Sequence, residues 1–392
     1  MADLALNLMP SIATISLPES NRASARNLPR SPGADTRSTV WLDSLAEPLD
    51  HAPASVDLLR KFASDGLTRI GVAEELGGDG GSWADAAESI AELAQRSLTA
   101  SFVLWSHRTY IECVVRSNNP ALRDRELPKL LTGEWAGAIG MSNAMKFVCG
   151  LEPLEVIARQ ADRAHGQQWL IDGTLPWVTN LRAGGFSVAA AAQPATPGPV
   201  PVFSFRSDLQ GVRRSQDLAL MGLRGSDVAA IELEGVFVGS EHRLHDNLTV
   251  WLPQVRPQFL GFQCGMSIGL ARASIAAAQE RVGRREVLRA PLAELHLALE
   301  KDTGELLGGL QSGVFSSDPA ALFRLRIVLA RHVQQALYLE LQAWGGQAYL
   351  DEQAPGFARR WRESAFIPVI TPSLAQLEIQ LSLLNRQASD TP

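Results

Sequence analysis

The sequence predicts an α+β protein in which helices come before and after a central sheet region. Three observations support this: apolar residues at helical spacing in residues 41–135, strand-like runs in residues 136–247, and a return to helical spacing in residues 248–392. We therefore expect a helical N-terminal domain, an antiparallel β-domain and a C-terminal helical bundle. Residues 1–40, rich in Ser, Pro, Arg and Ala, are expected to form a flexible tail.

The first helical region is marked by Leu58, Leu59 and Phe62, which recur at helix spacing, and by an apolar run over residues 100–115. That run is interrupted by His107. A lone histidine on an apolar helix is usually a core residue whose ring nitrogens are hydrogen-bonded. We therefore expect His107 to occupy a core position, with an acid-base role as the alternative.

The middle region contains three strand-like runs, at residues 186–192, 200–205 and 231–238. The third run alternates apolar with charged residues, as expected for a strand with one buried face. Because no helical pattern separates the runs, a doubly wound nucleotide-binding fold is disfavoured.

The last region predicts helices near residues 291–311, 319–344 and 373–385. Before them, small residues recur at every fourth position: Gly261, Gly265, Gly269, Ala273 and Ala277. On a helix this spacing makes one smooth stripe, which allows another backbone to approach closely. We interpret the stripe as a packing surface.

Charge and cysteine usage exclude several classes of function. The formal charge of −6, with pI near 5.7 and no basic stripe, argues against nucleic-acid binding and attraction to membranes. No apolar run is long enough to span a bilayer. Cys113, Cys149 and Cys264 are few and widely spaced, which fits reduced thiols in a cytoplasmic protein. His242 and His245 lack further ligands at suitable spacing, so no metal site is predicted.

The stretch from Ile171 to Asn180 is the candidate functional centre. A tight turn is expected at Asp172 and Gly173, followed by an extended segment that carries Trp177 and Thr179. Residues two apart in a strand point to the same face, so the indole and the hydroxyl should project together. This pair suits a flat ligand that carries heteroatoms.

Five stretches stand in a characteristic order: Gly71 to Gly78, Ile171 to Asn180, Met221 to Asp227, Gly235 to Val238 and Leu341 to Gly346. Together they resemble the acyl-CoA dehydrogenase superfamily of flavoproteins. Gly71 to Gly78 is similar to the family's loop before the sheet, and Ile171 to Asn180 is similar to its flavin-flanking motif. Met221 to Asp227, followed by Gly235 to Val238, resembles a further signature of the family, and Leu341 to Gly346 resembles its glycine-containing segment near the C-terminus. The resemblance spans residues 41–384 and implies a C-terminal four-helix bundle.

The resemblance implies an FAD site, with FMN as the alternative cofactor. It places Trp177 against the flavin ring, Thr179 near N5, and Ser142, as a strand residue, at the pyrimidine side of the ring. Gln342, Gly345 and Gly346 match the segment that approaches the adenosine end of FAD across a subunit interface, which implies a homodimer or homotetramer. In such a site the protein orients and tunes the flavin, which does the redox chemistry.

The sequence departs from the family where the catalytic base is expected. Removal of an α-proton needs a positioned carboxylate, yet the usual Glu position falls on Thr371, and the alternative position falls near Phe259. A threonine hydroxyl is far too weak an acid to act as a comparable base near neutral pH. The catalytic residues and the substrate-binding residues thus stay unassigned.

Three functions remain open after the sequence. The first is α,β-dehydrogenation of an acyl thioester with an unidentified base. The second is a flavin-dependent monooxygenase on the same fold, for which His107 is the candidate acid-base residue because imidazole titrates near neutrality. The third is a non-catalytic flavin-binding partner subunit.

Overall fold

The N-terminal part of the chain is helical. The computed structural model describes residues 36–161, 168–350 and 352–389. Residues 1–35 of the predicted tail lie outside these ranges, and Thr36–Ser44 forms a 3₁₀ helix, so the predicted tail extends too far. The helices that follow are α1 (Ala46–His51), α2 (Leu58–Ser64), α3 (Trp83–Arg96), α4 (Leu98–Val115) and α5 (Pro120–Leu131).

Two sheets follow the first helices. Their strands are β1 (Ala136–Ile139), β2 (Ile157–Gln160), β3 (Trp169–Val178), β4 (Phe186–Ala191), β5 (Gln193–Pro194), β6 (Val202–Arg206), β7 (Val212–Arg214), β8 (Ala229–Val238) and β9 (Arg243–His245). One sheet has the order β1-β4-β6-β9 and the other the order β5-β2-β3-β8-β7. The predicted strand runs coincide with β4, β6 and β8. Most neighbours are antiparallel, but β1 pairs with β4 and β2 pairs with β5 in parallel, so the sheets are not purely antiparallel.

Two local predictions in this region are wrong. Asp172 and Gly173 lie inside β3, where a register shift against β8 replaces the expected tight turn. A backbone φ of +143° makes glycine the suitable residue at position 173. Ser142 does not lie on a strand but begins a short helix, α6 (Ser142–Val148), between β1 and β2.

The C-terminal part returns to helices, as predicted. It contains α7 (Leu248–Arg281), α8 (Arg289–Ser312), α9 (Pro319–Trp344), α10 (Pro355–Ser364) and α11 (Leu374–Ser389). The glycine stripe on α7 is a packing surface: a Cβ atom at Gly265 would lie 2.5 Å from the Ala87 carbonyl oxygen on α3. At Gly269 the corresponding distance to the Ala91 carbonyl oxygen would be 2.1 Å. Glycine therefore lets α7 approach the backbone of α3.

One hydrophobic cluster joins the helices to both sheets. Residues of β1, β3, α4 and the C-terminal helices belong to it, and the candidate site is lined by residues from all of these parts. Cys113, Cys149 and Cys264 are free thiols. Within the described ranges, no helix has the length and apolar character needed to cross a membrane.

Candidate active site

A cavity of about 480 Å³ lies where the three parts of the chain meet. The first helices, the sheets and their loops, and the C-terminal helices all contribute to its wall. Its apolar wall includes Phe102, Trp105, Phe259, Phe366 and Ile370. Its polar groups come from Ser142, Lys146, Thr179, Arg362 and Thr371.

Trp177 and Thr179 both line this cavity, as the extended-strand argument predicts. The pairing of β3 with β8 shifts register between Leu175 and Val178, which leaves the Trp177 side chain 60% exposed although its ring is apolar. Thr179 is only 7% exposed, and its carbonyl accepts a hydrogen bond from Ser106 Oγ at 3.4 Å. The cavity thus has an open aromatic face beside a buried threonine whose backbone is held by a hydrogen bond.

Asn180 holds the backbone directly after this pair. It has a positive φ of 66°, which asparagine tolerates better than most residues. Its Nδ2 donates to the Gly137 carbonyl at 2.8 Å, and its N–H donates to the Ser226 carbonyl at 3.0 Å. These bonds join β3 to β1 and to the loop before β8, so Thr179 is held from both sides.

Ser142 and Thr371 meet in the cavity although they are far apart in the chain. Their hydroxyl oxygens are 2.9 Å apart. The Thr371 carbonyl accepts from Gln263 Nε2 at 3.0 Å. The residue at the expected base position therefore belongs to the site, but it contributes a hydroxyl and not a carboxylate.

The described residues that line the cavity include no Asp, Glu, His, Cys or Tyr. Phe259, at the alternative base position, contributes an apolar ring. The charged groups in the wall are Lys146 and Arg362, both cations. Lys146 Nζ lies 2.8 Å from Glu152 Oε1, and Arg362 Nε lies 2.7 Å from the buried carboxylate of Asp50.

Glu363, close to Thr371 in sequence, turns away from the cavity. Its side chain is fully buried, accepts the Leu98 N–H at 3.0 Å and pairs with Arg359 Nη1 at 3.1 Å. Burial raises the pKa of Glu363 to about 7. Its geometry is that of a cap on the first turn of α4, which satisfies a free backbone donor there.

His107 is a core residue, and the prediction that it could act in the substrate cavity is wrong. It is fully buried, and burial lowers the pKa of its imidazole to about 4. Its Nδ1 accepts the Gly137 N–H at 3.0 Å, so Nε2 carries the proton and donates to the Leu130 carbonyl at 2.9 Å. Both nitrogens are occupied by backbone groups of β1 and α5.

This burial predicts a pH effect on stability. Between pH 6.5 and about 4 the unfolded imidazole binds a proton that the folded one does not, so stability falls as pH falls. Across this interval we expect the free energy of unfolding, measured in urea, to fall by up to about 3 kcal/mol more in the wild type than in His107→Gln. Glutamine can hydrogen-bond both backbone groups without titrating, and parallel pH profiles of the two proteins would contradict the assignment.

Gln342, Gly345 and Gly346 do not reach this cavity within one chain. They lie at the C-terminal end of α9 and just beyond it, where Gln342 Nε2 donates to the Tyr338 carbonyl at 3.2 Å. A separate depression beside them is lined by Arg281, Arg285, Trp344 and Gly346, among others. The role that the resemblance implies for this segment requires a second copy of the chain.

Sequence reasoning missed several lining residues. Phe102 and Trp105 are three apart on α4, and this spacing could have marked one face of the helix. Lys146 and Arg362 carried no local signal, because only the packing of α6 and α10 brings them to the cavity.

Comparisons with known proteins agree with this architecture. Residues 42–134 match the family model described as acyl-CoA dehydrogenase, N-terminal domain. Mitochondrial isovaleryl-CoA dehydrogenase from Arabidopsis thaliana is 24% identical over 324 residues, which cover 78% of this chain and 77% of that protein.

Three solved structures share the fold. The glutaryl-coenzyme A dehydrogenase complex with glutaryl-CoA has a TM-score of 0.77, 17% identity and coverage of 88% of this chain and 92% of that one. The FAD complex of PigA has a TM-score of 0.76, 17% identity and coverage of 89% and 94%. Dibenzothiophene monooxygenase from Paenibacillus has a TM-score of 0.70, 19% identity and coverage of 90% and 96%.

At these identities the structural likeness establishes the fold alone. Similarity in sequence is shown separately by the matched N-terminal region and by the isovaleryl-CoA dehydrogenase relative. The helix-sheet-helix order and the convergence of the motif residues on one cavity are in keeping with it. Residues 42–134 therefore match the N-terminal domain of the acyl-CoA dehydrogenase family, and the chain as a whole is similar in sequence and fold to flavin-dependent acyl-CoA dehydrogenases.

Proposed function

We propose that this chain binds FAD with the flavin ring beside Trp177 and Thr179. The exposed indole offers an apolar surface of the size that aromatic stacking uses, and such surface on a cavity wall is typical of a ligand site. The hydroxyls of Thr179 and Ser142 suit the heteroatoms at the edge of a flavin. These residues fit the cofactor of the superfamily.

We further propose that the substrate is oxygenated and not dehydrogenated. The observation that carries this is the cavity wall, in which Thr371 and Phe259 stand at the two positions where a carboxylate base would be expected. When bound and reduced, FAD would supply the two electrons that this reaction needs. One atom of O₂ enters the substrate, and the other is reduced to water. The apolar wall of the cavity would hold a largely apolar substrate and exclude bulk water.

α,β-Dehydrogenation of an acyl thioester is the second candidate. It is favoured by the sequence relative, which is named as an isovaleryl-CoA dehydrogenase. This function would need a base from outside the described wall of the cavity. A non-catalytic FAD-binding subunit is the third candidate, and the same experiment addresses it.

The assembly we propose is a homodimer or homotetramer. Gln342, Gly345 and Gly346 do not line the Trp177 cavity, which supports this assembly because they would then approach FAD from another subunit. Arg281 lies 4.0 Å from the ring centre of Trp344 beside this segment, and its charge would suit a phosphate of a neighbouring cofactor.

Stopped-flow spectroscopy separates the three functions. The FAD-loaded protein is reduced without oxygen and then mixed with O₂, and the oxidised protein is titrated anaerobically with a panel of acyl-CoAs. We expect reoxidation of the flavin in two resolved phases and no bleaching by any acyl-CoA. Bleaching by an acyl-CoA would favour the dehydrogenase, whereas single-phase reoxidation without bleaching would favour the non-catalytic subunit.

A further inference from the structure

A buried arginine stands behind the part of the cavity wall that carries Thr371. Arg326 on α9 is fully buried, and burial lowers the pKa of its guanidinium. Its Nη2 donates to the Ile367 carbonyl at 2.6 Å, and its Nε donates to Gln263 Oε1 at 2.8 Å. No carboxylate in the described ranges pairs with it. A buried charge without a counter-charge costs several kcal/mol, which its hydrogen bonds must offset.

Gln263 extends the contact from Arg326 to Thr371. Its amide oxygen accepts from Arg326, and its Nε2 donates to the Thr371 carbonyl at 3.0 Å. The two residues thus hold both ends of the segment from Ile367 to Thr371. Val369, Ile370 and Thr371 of this segment line the cavity.

One of the two hydroxyl hydrogens of Ser142 and Thr371 has no hydrogen-bond acceptor within the described part of the chain. Their oxygens are 2.9 Å apart, so one hydroxyl donates to the other. Two hydroxyls carry two protons, and the second has no acceptor among the described residues. A cavity occupant with an acceptor oxygen would complete the pair.

We propose that Ser142 donates to Thr371 and that the Thr371 hydroxyl in turn donates a hydrogen bond to a carbonyl oxygen of the substrate, which leaves the Ser142 oxygen to accept from the flavin edge. Arg326, acting through Gln263, is a positioning residue that holds Thr371 against Ser142. The substrate is then an apolar chain that bears a thioester, ketone or amide carbonyl. This inference rests on the proposed function, because that function makes the cavity a substrate site.

Two probes that differ in one carbonyl oxygen test the proposal. They are S-hexanoyl-N-acetylcysteamine, a thioester, and S-hexyl-N-acetylcysteamine, the matching thioether. Calorimetry on the full-length FAD-loaded protein should find the thioester bound about five- to tenfold more tightly, as expected for one hydrogen bond. Thr371→Val should abolish this preference without changing thioether affinity or FAD affinity, and Thr371→Ser should restore it.

Gln263→Glu tests the positioning role. A glutamate can still pair with Arg326 but cannot donate to the Thr371 carbonyl, so the thioester preference should fall while the thermal unfolding temperature is kept. Thr303→Val removes a buried hydroxyl outside the cavity and should leave the preference intact.

Several outcomes would overturn the proposal. They are a wild-type protein that binds neither probe or does not distinguish them, or a Thr371→Val variant that loses affinity for both probes equally. Weaker FAD binding by Thr371→Val would assign the acceptor oxygen to the cofactor and also overturn it. Failure of the wild type to bind FAD at all is a different result, which would reject the proposed function itself.

Discussion

Replacing Trp177 with alanine is expected to weaken FAD binding about thirtyfold. The indole is 60% exposed on the cavity wall, so its removal costs little folding energy but takes away the surface that the flavin ring would cover. Loss of one stacked aromatic side chain corresponds to about 2 kcal/mol of binding free energy. Flavin fluorescence titration of the apoprotein measures the change.

Phe237→Ala is the matched control for this variant. Phe237 is also an aromatic residue of the sheets and is 50% exposed, but it lies on β8 and does not line the cavity. Its removal should leave FAD affinity unchanged. Equal FAD affinities in the two variants would contradict the proposal that the flavin ring packs against Trp177.

Gly269→Ala is expected to lower the free energy of unfolding by about 3 kcal/mol. The added methyl group would lie 2.1 Å from the Ala91 carbonyl oxygen and 2.6 Å from the Ala94 Cβ atom. Because these are backbone and short side-chain atoms of α3, the contact can be relieved only if α7 and α3 move apart. Urea unfolding with comparison of the m-values measures the effect.

Gly304→Ala, which also replaces a glycine inside a helix, is expected to raise the free energy of unfolding instead. Gly304 lies in the interior of α8, and a Cβ atom there would meet no atom within 4 Å. Alanine should therefore stabilise the protein by up to about 1 kcal/mol through helix propensity. If Gly269→Ala proved as stable as Gly304→Ala, the stripe on α7 would not be a close-packed surface.

Several elements of the fold followed from local patterns in the sequence. The period of two in residues 231–238 predicted β8, and the helical spacing in residues 319–344 predicted α9 with the same bounds. Such periods arise because one face of each element is buried, and that information is contained in a few consecutive residues. Trp177 and Thr179 line one cavity as expected from their spacing, although β3 ends at Val178 and the bonds of Asn180 hold the backbone after Thr179.

The remainder of the site depended on tertiary packing. Ser142 and Thr371 are 229 positions apart, and their contact exists only because α6 packs against the segment after α10. His107 could be read as a core residue or as a catalytic one until β1 and α5 were seen to occupy both of its nitrogens.

The sequence by itself therefore determined the order of helical, sheet and helical regions, the stripe on α7 and the Trp177 and Thr179 pair, since each depends on near neighbours. The sequence also placed Thr371 and Phe259 at the usual carboxylate positions, whereas the tertiary structure alone decided that two cations and two paired hydroxyls reach the cavity wall and that no other described acidic residue does. These side chains come from distant parts of the chain, and a pairing across such distances leaves no periodic trace in one sequence.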